Sequence, residues 1–149
     1  MSAVSKDLPL AEITLRRYPK PYKLSKRELC KKLCLSIGLL QPGDSRDVVV
    51  DVMHSFLVNK ELTPTTILEH VTKERKANDL TNAGSSLVNL RRQLRRLKKL
   101  NIIERKGKSY SLAESALWHD VFEQKLMQLH VNPILDRVRD YFKALDSKE

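Results

Sequence analysis

With 149 residues, 41% of them hydrophobic, the chain is long enough for one domain with extensions and can bury a core. Its 28 Lys and Arg against 18 Asp and Glu leave a formal charge of +10 and a pI near 9.8, which favours a polyanionic partner and leaves the fold open. Aromatic residues are only 5%, which argues against a base-stacking platform for single strands or RNA, and neither a membrane-span-length apolar run nor a signal-peptide core in Met1 to Leu10 is present, so a soluble intracellular protein is expected.

Met1 to Pro9 is small, polar and unpatterned, and is expected to be mobile. Residues 1–23 together read as a flexible basic arm, in which Pro19 and Pro21 force an extended path. Residues 24–43 form a helical extension. Its helix starts at a capping box of Ser25 and Glu28, buries Leu29, Cys30, Leu33, Cys34, Ile37 and Leu40, with Gly38 either tolerated inside it or marking its end, and Pro42-Gly43 is a clear break. The basic residues Arg16, Arg17, Lys20, Lys23, Lys26, Arg27, Lys31 and Lys32 are as readily a solvated face as a phosphate contact.

Residues 44–112 form the central unit. A first helix, capped by Asp44 or Ser45, buries Val48, Val49, Val52, Met53, Phe56 and Leu57; a second opens at Thr63-Pro64 and buries Ile67, Leu68 and Val71. The polar stretch Lys73 to Gly84 connects it to the most informative segment, SLVNLRRQLRRLKKLNIIERKGKSYSL from Ser86 to Leu112. At about 100° per residue Leu87, Leu90, Leu94 and Leu97 make a buried stripe. The opposite arc carries Ser85, Asn89, Arg92, Arg96 and Lys99, flanked by Ser86 and Gln93, with Arg91, Arg95 and Lys98 nearer the buried edge. An arginine row without acids repels itself in water and suits an anion opposite. Asn, Ser and Gln are residue types that read base edges, while Arg and Lys hold phosphate or guanine. Ile102-Ile103, a polar run, Gly107-Lys108 and Ser109-Tyr110-Ser111-Leu112 follow as a short β-hairpin.

The order of leucine-paired helix, Asn101 at its end, Ile-Ile, basic turn and Tyr-x-Leu resembles the winged-helix regulators of the MarR and ArsR type, over roughly Asp44 to Leu112. Asn101 stands where a Gly is frequent in those families, and Asn is the next best left-handed cap. The resemblance implies a mainly α fold, a winged helix-turn-helix with a β-hairpin wing, in which Ser85, Ser86, Asn89 and Gln93 meet base edges. Arg91, Arg92, Arg95, Arg96 and Lys99 would then hold phosphate or guanine, and Lys106 and Lys108 the backbone beside the wing. Winged helices also serve as protein-interaction modules.

Residues 113–149 are read as a C-terminal dimerisation segment. Leu117, Trp118, Val121, Phe122, Leu126 and Leu129 span a broad arc, and Ile134, Leu135, Val138, Tyr141, Phe142 and Leu145 a tighter one, with Asn132-Pro133 kinking or dividing the helix between them. Leu126, Leu129 and the second stripe are the expected homodimer contacts. Cys30 and Cys34 read as buried reduced thiols, since two thiolates do not close a zinc site and the four His show no ligand spacing with them; no metal or cofactor is expected. Without a Gly-rich phosphate loop or a nucleophile with a nearby base, no enzyme is expected either. The leading expectation is a double-stranded DNA-binding transcription regulator, cytoplasmic and nucleoid-associated or else nuclear. The alternatives are an adaptor or assembly subunit of a replication, repair or transcription complex, or an architectural DNA binder.

Overall fold

The computed structural model describes residues 7–82 and 85–147. The expected mobility of Met1 to Pro9 lies outside the described residues up to Lys6, and the expected polar connection from Lys73 to Gly84 does so at Ala83 and Gly84. Among the described residues the fold is mainly helical, with one two-stranded antiparallel sheet. In chain order come α1 (Lys26–Ser36), α2 (Val48–Val58), α3 (Pro64–Ala77), α4 (Leu87–Lys99), β1 (Ile103–Lys106) and β2 (Ser109–Leu112). A 3₁₀ turn (Ala113–Ser115), α5 (Trp118–Val121), a π-helical stretch (Phe122–Val131) and α6 (Asn132–Leu145) complete the chain. No helix among the described residues is long and apolar enough to cross a membrane.

Local chemistry sets most boundaries. Ser25 accepts the Glu28 amide at the start of α1. Thr63 and Thr66 form a reciprocal capping box ahead of Pro64 on α3, and Ser86 accepts the Asn89 amide at the start of α4. Three helices end in the same way, on a left-handed residue whose successor reaches back to close the last turn. Gly38 (φ 77°) lets Leu39 N donate to Cys34 O, Asp79 (φ 54°) lets Leu80 N donate to Arg75 O, and Asn101 (φ 62°) lets Ile102 N donate to Leu97 O. Gly38 has a second reason to be glycine, because a Cβ there would lie 2.6 Å from Thr14 Cβ.

Buried side chains of α1 to α4 form the core, with Cys34, Val50, Val52, Met53, Ile67, Val71, Leu90, Leu94 and Leu97 essentially sealed from solvent. Leu62, between α2 and α3, exchanges both backbone hydrogen bonds with Tyr110 and so adds a third segment to the hairpin, which ties the sheet to the helical core. In the hairpin Ile103 pairs with Leu112 and Lys106 with Ser109. Gly107 takes the positive φ needed at the first turn residue, 62°.

Several expectations fail for identifiable reasons. Leu33, Leu57 and Leu87 are not buried, being 38%, 38% and 40% exposed. Neither Asp44 nor Ser45 caps α2; Asp47 holds that position, and its carboxylate does not cap because two arginines take it. The connection from Lys73 is helical as far as Ala77. Residues 11–23 are not a free arm: Arg16 N donates to Ser36 O, and its guanidinium donates to Leu35 O (2.7 Å), Leu40 O (3.2 Å) and the Gln41 side chain, which satisfies the open C-terminal carbonyls of α1.

The tail departs most. Asn132-Pro133 does not divide the helix. Pro133 lacks an N–H and its ring would strike the carbonyl four residues back, and the chain accommodates this by an i→i+5 register, in which Asn132 N–H donates to Met127 O. Residues five apart then fall in line, so Val121, Leu126 and Val131 form the buried row and Leu117, Phe122 and Leu129 stay exposed. Leu126, expected at a dimer interface, is thus part of the core, and the first half of the tail packs on the rest of the chain. The second stripe is uncovered: Leu135, Val138, Tyr141, Phe142 and Leu145 are exposed, while Ile134 is half-buried beside Leu8 to Ala11.

Candidate nucleic-acid interface

The basic helix α4 is set by three leucines, Leu90, Leu94 and Leu97, each fully buried. Their arc is centred so that Val88, Arg92, Arg95 and Lys99 point away from the core, with Arg91 and Lys98 exposed on one side. Relative to the sequence reading the outer face is rotated, because Leu87 at the helix start does not belong to the buried row. Arg91, Arg92, Arg95, Lys98 and Lys99 have neither an acidic partner nor a hydrogen-bond acceptor for their side chains among the described residues, and α4 carries no acid.

Arg96 lies on the other flank and turns inward. Its guanidinium donates to Leu39 O at 2.7 Å and to Gln93 Oε1 at 2.6 Å, fastening α4 to the chain that leaves α1. Beside it, Asn89, Arg92, Gln93 and Arg96 line a cleft of about 300 Å³ with Gln41, Asp44 and Arg46. The short polar residues are largely engaged within the molecule: Ser85 Oγ donates to Asn82 O, Ser86 caps the helix, Gln93 accepts from Arg96, and Asn89 also has a partner.

On the opposite flank, Arg91, Arg105, Lys108 and Tyr110 line a groove of about 470 Å³ with Thr63, Pro64 and Thr65 at the N-terminus of α3. Arg105 sits over the Tyr110 ring, 6.0 Å from its centre, and donates to Gly107 O at 2.8 Å. The sequence reading passed over Arg105 as part of a polar run, although strand alternation opposite Tyr110 could have marked it. Lys106 lies 3.6 Å from Glu104 and is partly neutralised, whereas Lys108 projects from the turn. The groove therefore gathers three cations and the positive end of a helix dipole.

Beneath the face runs a buried ionic cluster that the sequence did not announce. Arg75, wholly buried, donates to Asp47 (2.9 Å) and Asp51 (2.8 Å), which also receive Arg27 at 3.2 Å and 2.9 Å. Arg75 Nε donates to Thr81 O at 2.5 Å, so the cluster holds the chain between α3 and α4. Burial alone would raise the Asp47 carboxyl, but hydrogen bonds and charge from Arg75 and Arg27 outweigh it and hold the group below its ordinary range. Arg16 and Arg27, two members of the N-terminal basic cluster, are thereby tied up in the fold; Lys32 lies over the Tyr18 ring.

Cys30 and Cys34 are buried free thiols. Burial pushes Cys30 up to about 11 and Cys34 higher still, so both stay protonated near neutrality. The histidines behave differently: His130 meets Asn101 Oδ1 at 2.8 Å, which fixes the tail against the end of α4, and His54 meets His70 between α2 and α3. Comparison with protein-family models, with curated proteins and with solved structures finds no match to this chain.

Proposed function

We infer that residues 44–112 act as a winged helix that binds double-stranded DNA, with α4 in the major groove and the β1–β2 hairpin along the phosphate backbone. The observation that carries this reading is the unpaired cationic face of Arg91, Arg92, Arg95, Lys98 and Lys99, extended by Arg105 and Lys108. Five like charges on one helix repel one another, and a fold keeps such a face at least cost when a polyanion neutralises it. The helix, helix, helix, hairpin order and the Leu62–Tyr110 bridge support the winged-helix assignment. Since the Ser and Gln groups are engaged internally, affinity comes chiefly from phosphate contacts, and base preference rests on Arg92 and Arg95.

Transcription regulation as a homodimer is the role this reading favours. The uncovered stripe of α6 would join two copies and set two α4 helices on successive major grooves, about 34 Å apart. A second reading, an adaptor that binds proteins of a DNA-processing complex, is favoured by the same exposed apolar stripe. Fluorescence anisotropy of a random and a selected duplex with the full chain tests both. Binding that is lost in an Arg91, Arg92, Arg95 triple alanine variant supports the first reading, and a parent that leaves both duplexes free at low salt overturns it.

A further inference from the structure

Away from the basic face, α2 and α3 bring together three side chains that the sequence keeps apart. His70 and Glu74 lie four residues apart on α3 and so share a face, and His54 reaches them from α2. One ligating atom from each lies within 4.8 Å of the others, and all three side chains are half-buried. His54 Nδ1 and His70 Nε2 are 2.8 Å apart. The ring centres are 5.0 Å apart and the planes 21° from parallel. A contact of that length fits such a separation only if it runs nearly along the line of centres, so the rings meet edge to edge through one shared proton and do not stack.

We propose that His54, His70 and Glu74 form a binding site for a divalent late first-row transition metal ion, with Zn²⁺ as the ion that the donor set fits best. Two imidazole nitrogens and one carboxylate oxygen suit that class, whereas Mg²⁺ and Ca²⁺ take oxygen ligands almost alone. The ion takes the place of the shared proton, which moves to the outer nitrogen of the same ring. The two inner nitrogens swing apart, because ligands about 2.0–2.1 Å from a tetrahedral ion stand farther from each other than a hydrogen bond allows. Three protein ligands leave the fourth position to water. Asn78 Nδ2, 3.4 Å from Glu74 Oε2, steadies the carboxylate. A competing donor nearby is engaged: both oxygens of Asp51 belong to Arg27 and Arg75. The ion would cross-link α2 to α3, the helices whose Asp47, Asp51 and Arg75 hold the chain ahead of α4.

Calorimetric titration of the untagged full-length chain with Zn²⁺ at about pH 7.5, repeated with Co²⁺ and read by its visible absorption, tests the site. One equivalent should bind with micromolar or tighter affinity and raise the Tm. His70→Gln and Glu74→Gln should each weaken binding at least about tenfold, and His119→Gln should leave it unchanged. In the parent protein, Co²⁺ should perturb the ring resonances of His54 and His70 before those of His119 and His130, a readout independent of how any variant folds. Parent binding no tighter than millimolar, or a first perturbation at His119 or His130, overturns the proposal, as does undiminished binding by a folded His70→Gln chain.

Discussion

Asp47 occupies the N-cap position of α2 and yet leaves the helix uncapped, since its oxygens face Arg27 and Arg75. The geometry exchanges one local hydrogen bond for a long-range ionic cluster whose central cation is sealed from water. Removing that cation leaves two buried carboxylates to Arg27 alone, so Arg75→Met should destabilise the fold by about 3–5 kcal/mol in urea titration. The same cluster sets an acid limit. The Asp47 carboxyl is lowered in the fold, so its contribution is complete above the unfolded carboxylate range, about pH 4, and is lost as pH falls through the lower folded value. The midpoint of urea unfolding should therefore drop below about pH 4 in the parent and drop less in Asp47→Asn. At the other end of the core, Asn101 combines a left-handed backbone with a hydrogen bond to His130. Asn101→Ala should cost about 1–2 kcal/mol from the backbone strain alone, and Asn101→Gly less, by thermal melts compared side by side.

Two elements carry the functional reading, and each is governed by which of its residues the core takes. In α4 the buried row Leu90, Leu94, Leu97 turns Arg92, Arg95 and Lys99 outward and Arg96 toward Leu39 O. If the DNA-binding proposal holds, Lys98→Ala and Lys99→Ala should weaken binding and each reduce the salt slope by about 1. Arg96→Ala should instead lower thermal stability, because it releases the chain end of α1 from α4. Equal effects of all three on the salt slope would mean that Arg96 swings out to phosphate. In the tail, the π register gives Val121, Leu126 and Val131 to the core and leaves the α6 stripe uncovered. Under the homodimer proposal, Val138→Asp should convert a sedimenting dimer to a monomer without changing the Tm of the monomer. A parent that sediments as a monomer at micromolar concentration removes the dimer from the proposal.

For the molecule as a whole, charge and fold pull in different directions. A chain of net charge +10 repels itself, and the fold answers by burying Arg75, half-burying Arg16 and Arg27 against oxygen acceptors, and collecting unpaired cations on α4 and the hairpin. The proposed DNA affinity should accordingly fall steeply with salt. With roughly 6 to 10 phosphate contacts the loss between 50 and 200 mM salt is about a thousandfold or more, and a flat titration would refute the electrostatic basis.

What the sequence determined by itself was everything settled within a few residues along the chain. The Ser25 and Thr63 caps, the left-handed Asn101, the Gly107 turn and the three sealed leucines of α4 all follow from local hydrogen bonding and helical periodicity, and all were legible, whereas Ser86, read as a base contact, caps α4 instead. Only the tertiary structure decided which polar groups the core would take. Asp47, Asp51 and Arg75 read locally as ordinary charged helix residues until α2 and α3 are packed together, and His54 gains a partner in the same way. The four-residue spacing of His70 and Glu74 can be read along the chain, but the approach of His54 to them cannot. The tail failed for a different reason: a wheel drawn at the α-helical angle cannot place residues in a π register, and it assigned Leu126 to a partner when the core had already claimed it. Burial of a charged or apolar side chain depends on which surface faces it, and that surface comes from residues distant in sequence, whose positions no local pattern contains.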